Sequence, residues 1–103
     1  MHVSVFEYRL KDIDEEGWAA TCAEVAPAFA QVPGLISKVW LKGADGGYGG
    51  VYIWDSEESY HDFLSSELGQ VVGSHPNIDG LTMRDWDVDV APTEVTRGVL
   101  QPA

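Results

Sequence analysis

The side chains best able to do chemistry in this chain are aromatic, with a lysine, an arginine and two histidines set among them. Tyr52, Trp54, Trp40 and Trp86 could form a stacking wall for a flat aromatic compound, because ring faces supply contact area with a preferred geometry. Large aromatics dominate any hydrophobic core as well, so each could instead be plain packing. The Tyr60 hydroxyl could hydrogen-bond a ligand oxygen or relay a proton, or stay wet while its ring packs. Lys38 and Arg84 stand on strand-like segments and could stabilise an oxyanion; the alternative is surface pairing with the abundant acids. His61 and His75 titrate near neutral pH and could serve as general base. His61 follows Tyr60 directly and points about 100° away around a helix, so those two do not share a pocket. His75 precedes Pro76 in a loop, where a histidine is commonly exposed. Gly49 and Gly50 could leave room beside the aromatic wall. There is no metal-ligand set, Ser-His-Asp order, GxGxxG or phosphate loop, so neither metal nor nucleotide chemistry is expected.

The elements that must position these groups follow from periodicity. Val3 to Leu10 is a β-branched and aromatic run that reads as strand one. From about Glu15 the period changes: Trp18, Cys22, Val25 or Ala26, and Phe29 recur at helical steps, with Asp12 or Asp14 placed as cap and Pro27 disturbing or ending the helix. Pro33-Gly34 opens strand two, Leu35 to Lys42. The turn GADGG joins it to strand three, Tyr48 to Trp54, as a hairpin. Pairing Lys42 near Tyr48 puts Lys38, Trp40, Tyr52 and Trp54 on one face; a slip of one residue would invert them all. Asp55 with Glu58 resembles a capping box for helix two, which carries Tyr60, Phe63 and Leu64 and fades in LGQVVGSHPN. Leu81 to Val90 alternates as the last strand. The stretch 91–103 has no clear period and is expected to be an extended tail able to pack on a partner.

The order β-α-β-β-α-β implies an α+β, ferredoxin-like domain spanning residues 1–103, with two helices on one face of a four-stranded antiparallel sheet. Val39, Leu41, Val51, Ile53 and Met83, placed on the other face, are too apolar to leave in water. Face-to-face pairing of two sheets would bury them, so a homodimer is expected.

Seventeen acidic against six basic residues give a net charge of -11. That charge repels phosphate backbones and anionic membranes, so no nucleic-acid or membrane partner is expected. Cys22 is the one cysteine and cannot form an internal disulfide, which fits a reducing, cytoplasmic setting. No segment approaches the roughly 20 apolar residues of a membrane span.

Two stretches carry a resemblance that covers most of the chain. VPGLISKVWLK followed by GGYGGVYIWDSEESYHDFL, with the acidic WDVDVAPTEVTRGVL near the end, is similar to the YdhR-type monooxygenases. The run Trp54, Asp55, Ser56, Glu57 with Tyr60 on the next helix resembles the wider antibiotic-biosynthesis monooxygenases. The resemblance implies a dimeric α/β barrel and oxidation of a small aromatic or polyketide-like substrate, of anthrone or quinol type, by dioxygen with no cofactor. It also implies that Trp54 and Tyr60 face the substrate. In the anthrone-oxidising relatives an Asn stands four residues before that Trp, where this chain has Gly50, so an amide donor must come from elsewhere. The haem-degrading relatives need an Asn on strand one, which is lacking here, and a His about ten residues after the Trp, where this chain has Leu64; only a shift to His61 or His75 would supply that ligand. A non-catalytic binding protein, or an oxygen-independent isomerase or cyclase of the same fold, would use the same pocket.

Overall fold

The computed structural model describes residues 1–98. Its elements are β1 His2–Leu10, α1 Glu15–Phe29, β2 Leu35–Lys42, β3 Gly47–Trp54, α2 Glu57–Ser65, α3 Glu67–Ser74, β4 Ile78–Asp87 and α4 Val90–Val95. The strands form one antiparallel sheet in the order β2-β3-β1-β4, the ferredoxin-like topology expected from the element order.

Register decides which side chains meet. Lys42 pairs with Tyr48, Trp40 with Gly50 and Lys38 with Tyr52, as the alternation of the hairpin requires. In β1 the buried residues are His2, Ser4 and Phe6. They pair with Trp54, Tyr52 and Gly50, so all six lie on the helix-covered side. There the core forms from Phe6, Phe29, Tyr52, Trp54, Tyr60 and Phe63. Val3, Val5, Val51 and Ile53 point the other way. On that face Val39 is 53 % exposed, so an apolar surface remains there.

Helices α1, α2 and α3 start where short polar side chains satisfy free backbone donors. Asp14 Oδ1 accepts from the Gly17 N–H at 2.7 Å to open α1. Pro27 does not stop α1, which continues for two more residues to Phe29. The cap of α2 is Ser56 rather than Asp55: Ser56 Oγ accepts from the Ser59 N–H at 3.1 Å, and Asp55 Oδ1 instead accepts from the Ser59 hydroxyl at 2.6 Å.

Three expectations are corrected. The segment after helix two does not fade but forms α3, opened by Ser66, whose Oγ accepts from the Gly69 N–H at 3.1 Å. Val90–Val95 is a short helix, α4, where the end of the last strand and the start of an extended tail were expected; residues 99–103 of that tail lie outside the described residues. Met83 pairs with Phe6 and is on the helix side, whereas Arg84 and Trp86 pair with Val5 and Val3 on the open side. The phase of β4 is set by its ladder with β1, and its mixed polarity did not show which set faces inward.

Candidate functional site

Helix α1 crosses the sheet above β1, β2 and β3, and its inward residues Trp18 and Cys22 are one helical turn apart. They roof an open groove of about 500 Å³ lined also by Tyr8, Trp40 and Tyr48, with Glu15 and Lys42 forming an ion pair at its edge. Adjoining it is a recess of about 50 Å³ that shares Tyr8, Trp18, Cys22 and Trp40 and adds Lys38, Tyr52 and His75. A water occupies about 30 Å³ of liquid, so the recess admits a substituent, whereas the groove admits a ring.

Lys38 is the unusual group. Its Nζ lies 3.3 Å from the centroid of Phe29, 3.4 Å from that of Trp40 and 4.7 Å from that of Tyr52. In a chain with 17 acidic residues, it has no carboxylate partner among the described residues. Burial pulls its pKa down to about 7, against a small opposing effect of Cys22. The ring faces favour the ammonium by ~0.5–2 kcal/mol each, and burying an unpaired ammonium costs several kcal/mol, so the downward direction stands. Gly50 makes room for this arrangement, since a Cβ there would lie 3.2 Å from Lys38 Cε and 3.1 Å from Tyr52 Cε1.

The other polar groups at the recess are donors or are held protonated. Trp18 is 6 % exposed and its Nε1–H is buried with no hydrogen-bond partner. Burial pushes the Tyr8 hydroxyl up to about 12, an interaction with Trp18 opposing, and pushes Tyr52 up as well. The Cys22 thiol is raised by burial, with Lys38 opposing. His75 packs edge-on to Trp18 with centroids 5.3 Å apart, and its Nδ1 accepts from the Asn77 N–H at 3.1 Å. That bond places the proton of a neutral imidazole on Nε2, which makes His75 a donor rather than the expected base.

The structure thus brings together Lys38, Trp40, Gly50, Tyr52 and His75, and separates the rest. Trp54 is fully buried: its Nε1–H donates to Ser4 Oγ at 2.9 Å, and its ring lies 5.4 Å from Phe63 and 6.0 Å from Tyr60. Tyr60 is 3 % exposed. Neither lines the groove or the recess, because α2 closes over them. Arg84 and Trp86 face away, with the guanidinium 4.9 Å above the indole. Trp18, Tyr8 and Cys22 were not expected at the site. The signal for them was the spacing of Trp18 and Cys22 on the helix face that must meet the sheet.

A second polar cluster lies at the other end of β1. His2 is buried and its two ring nitrogens meet Asp87 at 2.8 Å and Asp85 at 2.6 Å. Burial pulls its imidazolium pKa down, but the hydrogen bonds and charges of Asp85 and Asp87 outweigh this and the net shift is upward. Ligand atoms of His2, Glu57 and Asp87 lie within 4.8 Å of one another. Both imidazole nitrogens already have carboxylate partners, however, so His2 has no free lone pair for a metal. His61 is exposed and paired with Glu57 at 3.2 Å, and the His75 tautomer directs a proton, not a lone pair, from Nε2.

A family model described as "Putative mono-oxygenase ydhR" matches residues 5–99. None of the curated proteins matches the sequence significantly. Among solved structures, a protein titled "putative antibiotic biosynthesis monooxygenase" from Deinococcus radiodurans is 17 % identical with a TM-score of 0.72, over 88 % of this chain and 95 % of that one. SnoaB, a cofactor-independent oxygenase from Streptomyces nogalater, is 15 % identical with a TM-score of 0.68, over 85 % and 92 %. The heme-degrader MhuD from Mycobacterium tuberculosis, solved with two hemes in its active site, is 18 % identical with a TM-score of 0.70, over 87 % and 97 %. At these identities the likeness to solved structures is one of fold.

Proposed function

The chain belongs to the family described as "Putative mono-oxygenase ydhR", and from that premise we propose that it is a monooxygenase that needs no cofactor and oxidises a small, electron-rich hydroxylated aromatic, of anthrone or quinol type, with dioxygen. The observation that carries this reading is the groove walled by Trp18, Trp40, Tyr8 and Tyr48, which opens on a recess holding an unpaired lysine. Once deprotonated, such a substrate passes an electron to dioxygen unaided, so the protein must bind the ring, stabilise and hold its anion, and keep water away. The aromatic walls suit the first task, and Lys38 with the free Trp18 N–H suits the second. The active form would be a homodimer built on the open sheet face, with the chain beyond β4 packing on the partner.

The test is oxygen uptake by metal-free protein with a panel of anthrones and hydroquinones, run beside Trp40→Ala. Trp40 is 38 % exposed, so its removal spares the core. Uptake above autoxidation that falls roughly tenfold in the variant is the expected result, since a stacking face contributes ~0.5–1.5 kcal/mol beyond its buried area. Saturable binding without uptake would overturn the oxygenase reading in favour of a binding protein, and turnover without oxygen would replace it with an isomerase or cyclase.

A further inference from the structure

We infer that Lys38 is the proton acceptor for the bound substrate: the aromatic ring lies in the groove, its acidic hydroxyl enters the recess, and the lysine amine takes the hydroxyl proton. This inference rests on the reading of the groove as a site for hydroxylated aromatics, and it narrows the ligand to phenols and enols whose oxygen can reach the recess.

The sizes of the two cavities set the pose. About 500 Å³ accommodates a fused ring system, whereas about 50 Å³ takes one oxygen substituent and no ring. A ring against Trp40, which lines both cavities, can extend its hydroxyl into the recess. Of these, Lys38 is the one able to accept a proton near neutral pH. Cys22 from α1, Tyr8 from β1 and Tyr52 from β3 are protonated and held so by burial. His75, after α3, has its acceptor nitrogen occupied by the Asn77 N–H. Lys38 also lines a shallow cleft with Ala26, Phe29 and Ala30, and no other titratable group lines it.

Among the described residues no carboxylate competes with the substrate for the amine. A lysine clamped by a carboxylate would remain an ammonium, but Lys38 is surrounded by Phe29, Trp40 and Tyr52. With its pKa near 7, a large fraction is neutral at physiological pH. In the transfer the substrate O–H bond breaks and a third N–H bond forms on Nζ. The products are a phenolate and an ammonium held in contact away from bulk water, where their attraction is strong. The ring faces that already surround Nζ then stabilise the new cation.

The experiment uses 2-naphthol, read by absorption and by calorimetry in buffers of different ionisation enthalpy, at about pH 8, where the free phenol is un-ionised and Lys38 is largely neutral. With the wild-type protein the bound ligand should absorb as naphtholate, and the binding heat should not depend on the buffer, because the proton moves from ligand to lysine without leaving the complex. Lys38→Met, which retains the stem, should bind the ligand un-ionised. Lys38→Arg, which cannot accept a proton, should bind naphtholate with release of one proton to the buffer. A wild-type complex that also releases a proton would overturn the inference, since Lys38 would then be a fixed cation throughout. So would un-ionised ligand in the wild-type complex, or naphtholate in Lys38→Met with unchanged thermal unfolding. Absence of binding would overturn the reading of the groove itself, which separates that failure from failure of the lysine.

Discussion

Two residues with conspicuous chemical potential, Trp54 and Tyr60, hold the fold together rather than line the groove. Trp54→Ala should cost ~3–5 kcal/mol through the cavity it leaves, so loss of activity in that variant would report unfolding. Ser4→Ala is the finer probe. It leaves the buried indole N–H of Trp54 without an acceptor, at ~1–3 kcal/mol, and should shift the urea midpoint while leaving 2-naphthol binding unchanged. His2 gives a pH dependence whose sign follows from its surroundings. Its folded-state pKa lies above the ordinary value near 6.5, so the stabilisation is complete below about pH 6.5 and is lost as pH rises through the folded-state value. Urea unfolding followed across that window should show the loss, and His2→Gln should flatten it. That Lys38, Trp40 and Tyr52 share one face of the hairpin was legible from strand alternation alone. What alternation cannot report is depth. Tyr52 and Trp54 share a face, and only the positions of the helices decide that the recess reaches the first while α2 seals the second.

At the level of elements, the hairpin and its register were readable because one face had to be buried and a one-residue slip would expose it. The α2–α3 break was not readable. Three weak helix formers, Gly69, Gly73 and Ser74, stand in an eight-residue segment, and the signal that overrides them is a single side chain used twice. Ser66 Oγ donates to the Phe63 carbonyl at 2.6 Å, closing α2, and accepts from the Gly69 N–H at 3.1 Å, opening α3. Ser66→Ala should therefore cost ~0.5–2 kcal/mol, as loss of a cap does. Gly69→Ala should cost more, because its Cβ would stand 2.0 Å from the Phe63 oxygen, a clash of backbone on backbone that rotamers cannot relieve. Thermal unfolding of the two variants should rank them in that order. Since α3 presents Leu68 and Val72 to the recess and leads into His75, the same substitutions should also weaken ligand binding. The phase of β4 was likewise hidden. Its two alternating sets, Thr82-Arg84-Trp86 and Leu81-Met83-Asp85, each mix polar with apolar residues, and only pairing with β1 tells them apart.

For the whole molecule, hydrophobic burial and net charge act in opposition. Arg84, Val5, Val51 and Val39 form one row across the open sheet face, and Trp86, Val3 and Ile53 form the next. Burying these rows against a second copy is the proposed source of dimer stability. Two subunits that each carry a formal charge of -11 repel one another. The repulsion is screened by salt over a Debye length of about 10 Å at 0.1 M, whereas burial of apolar surface is not weakened by it. Dimerisation should therefore tighten as salt rises, the reverse of the behaviour of an interface held by ion pairs. Light scattering at micromolar concentration should give a dimer, and dilution series at low and high salt should show the lower dissociation constant at high salt. Val51→Lys places a charge at the centre of the face and should yield monomers at every salt concentration. The same negative field acts on ligands: with Glu15 and Glu16 lining the groove, a neutral phenol should enter far more readily than its carboxylated analogue. The substrate anion is then best made inside, at Lys38, the recess lysine that has no acidic partner among the described residues. A dimer that loosened with added salt, or a Val51→Lys protein that still scattered as a dimer, would place the interface elsewhere than on the open sheet.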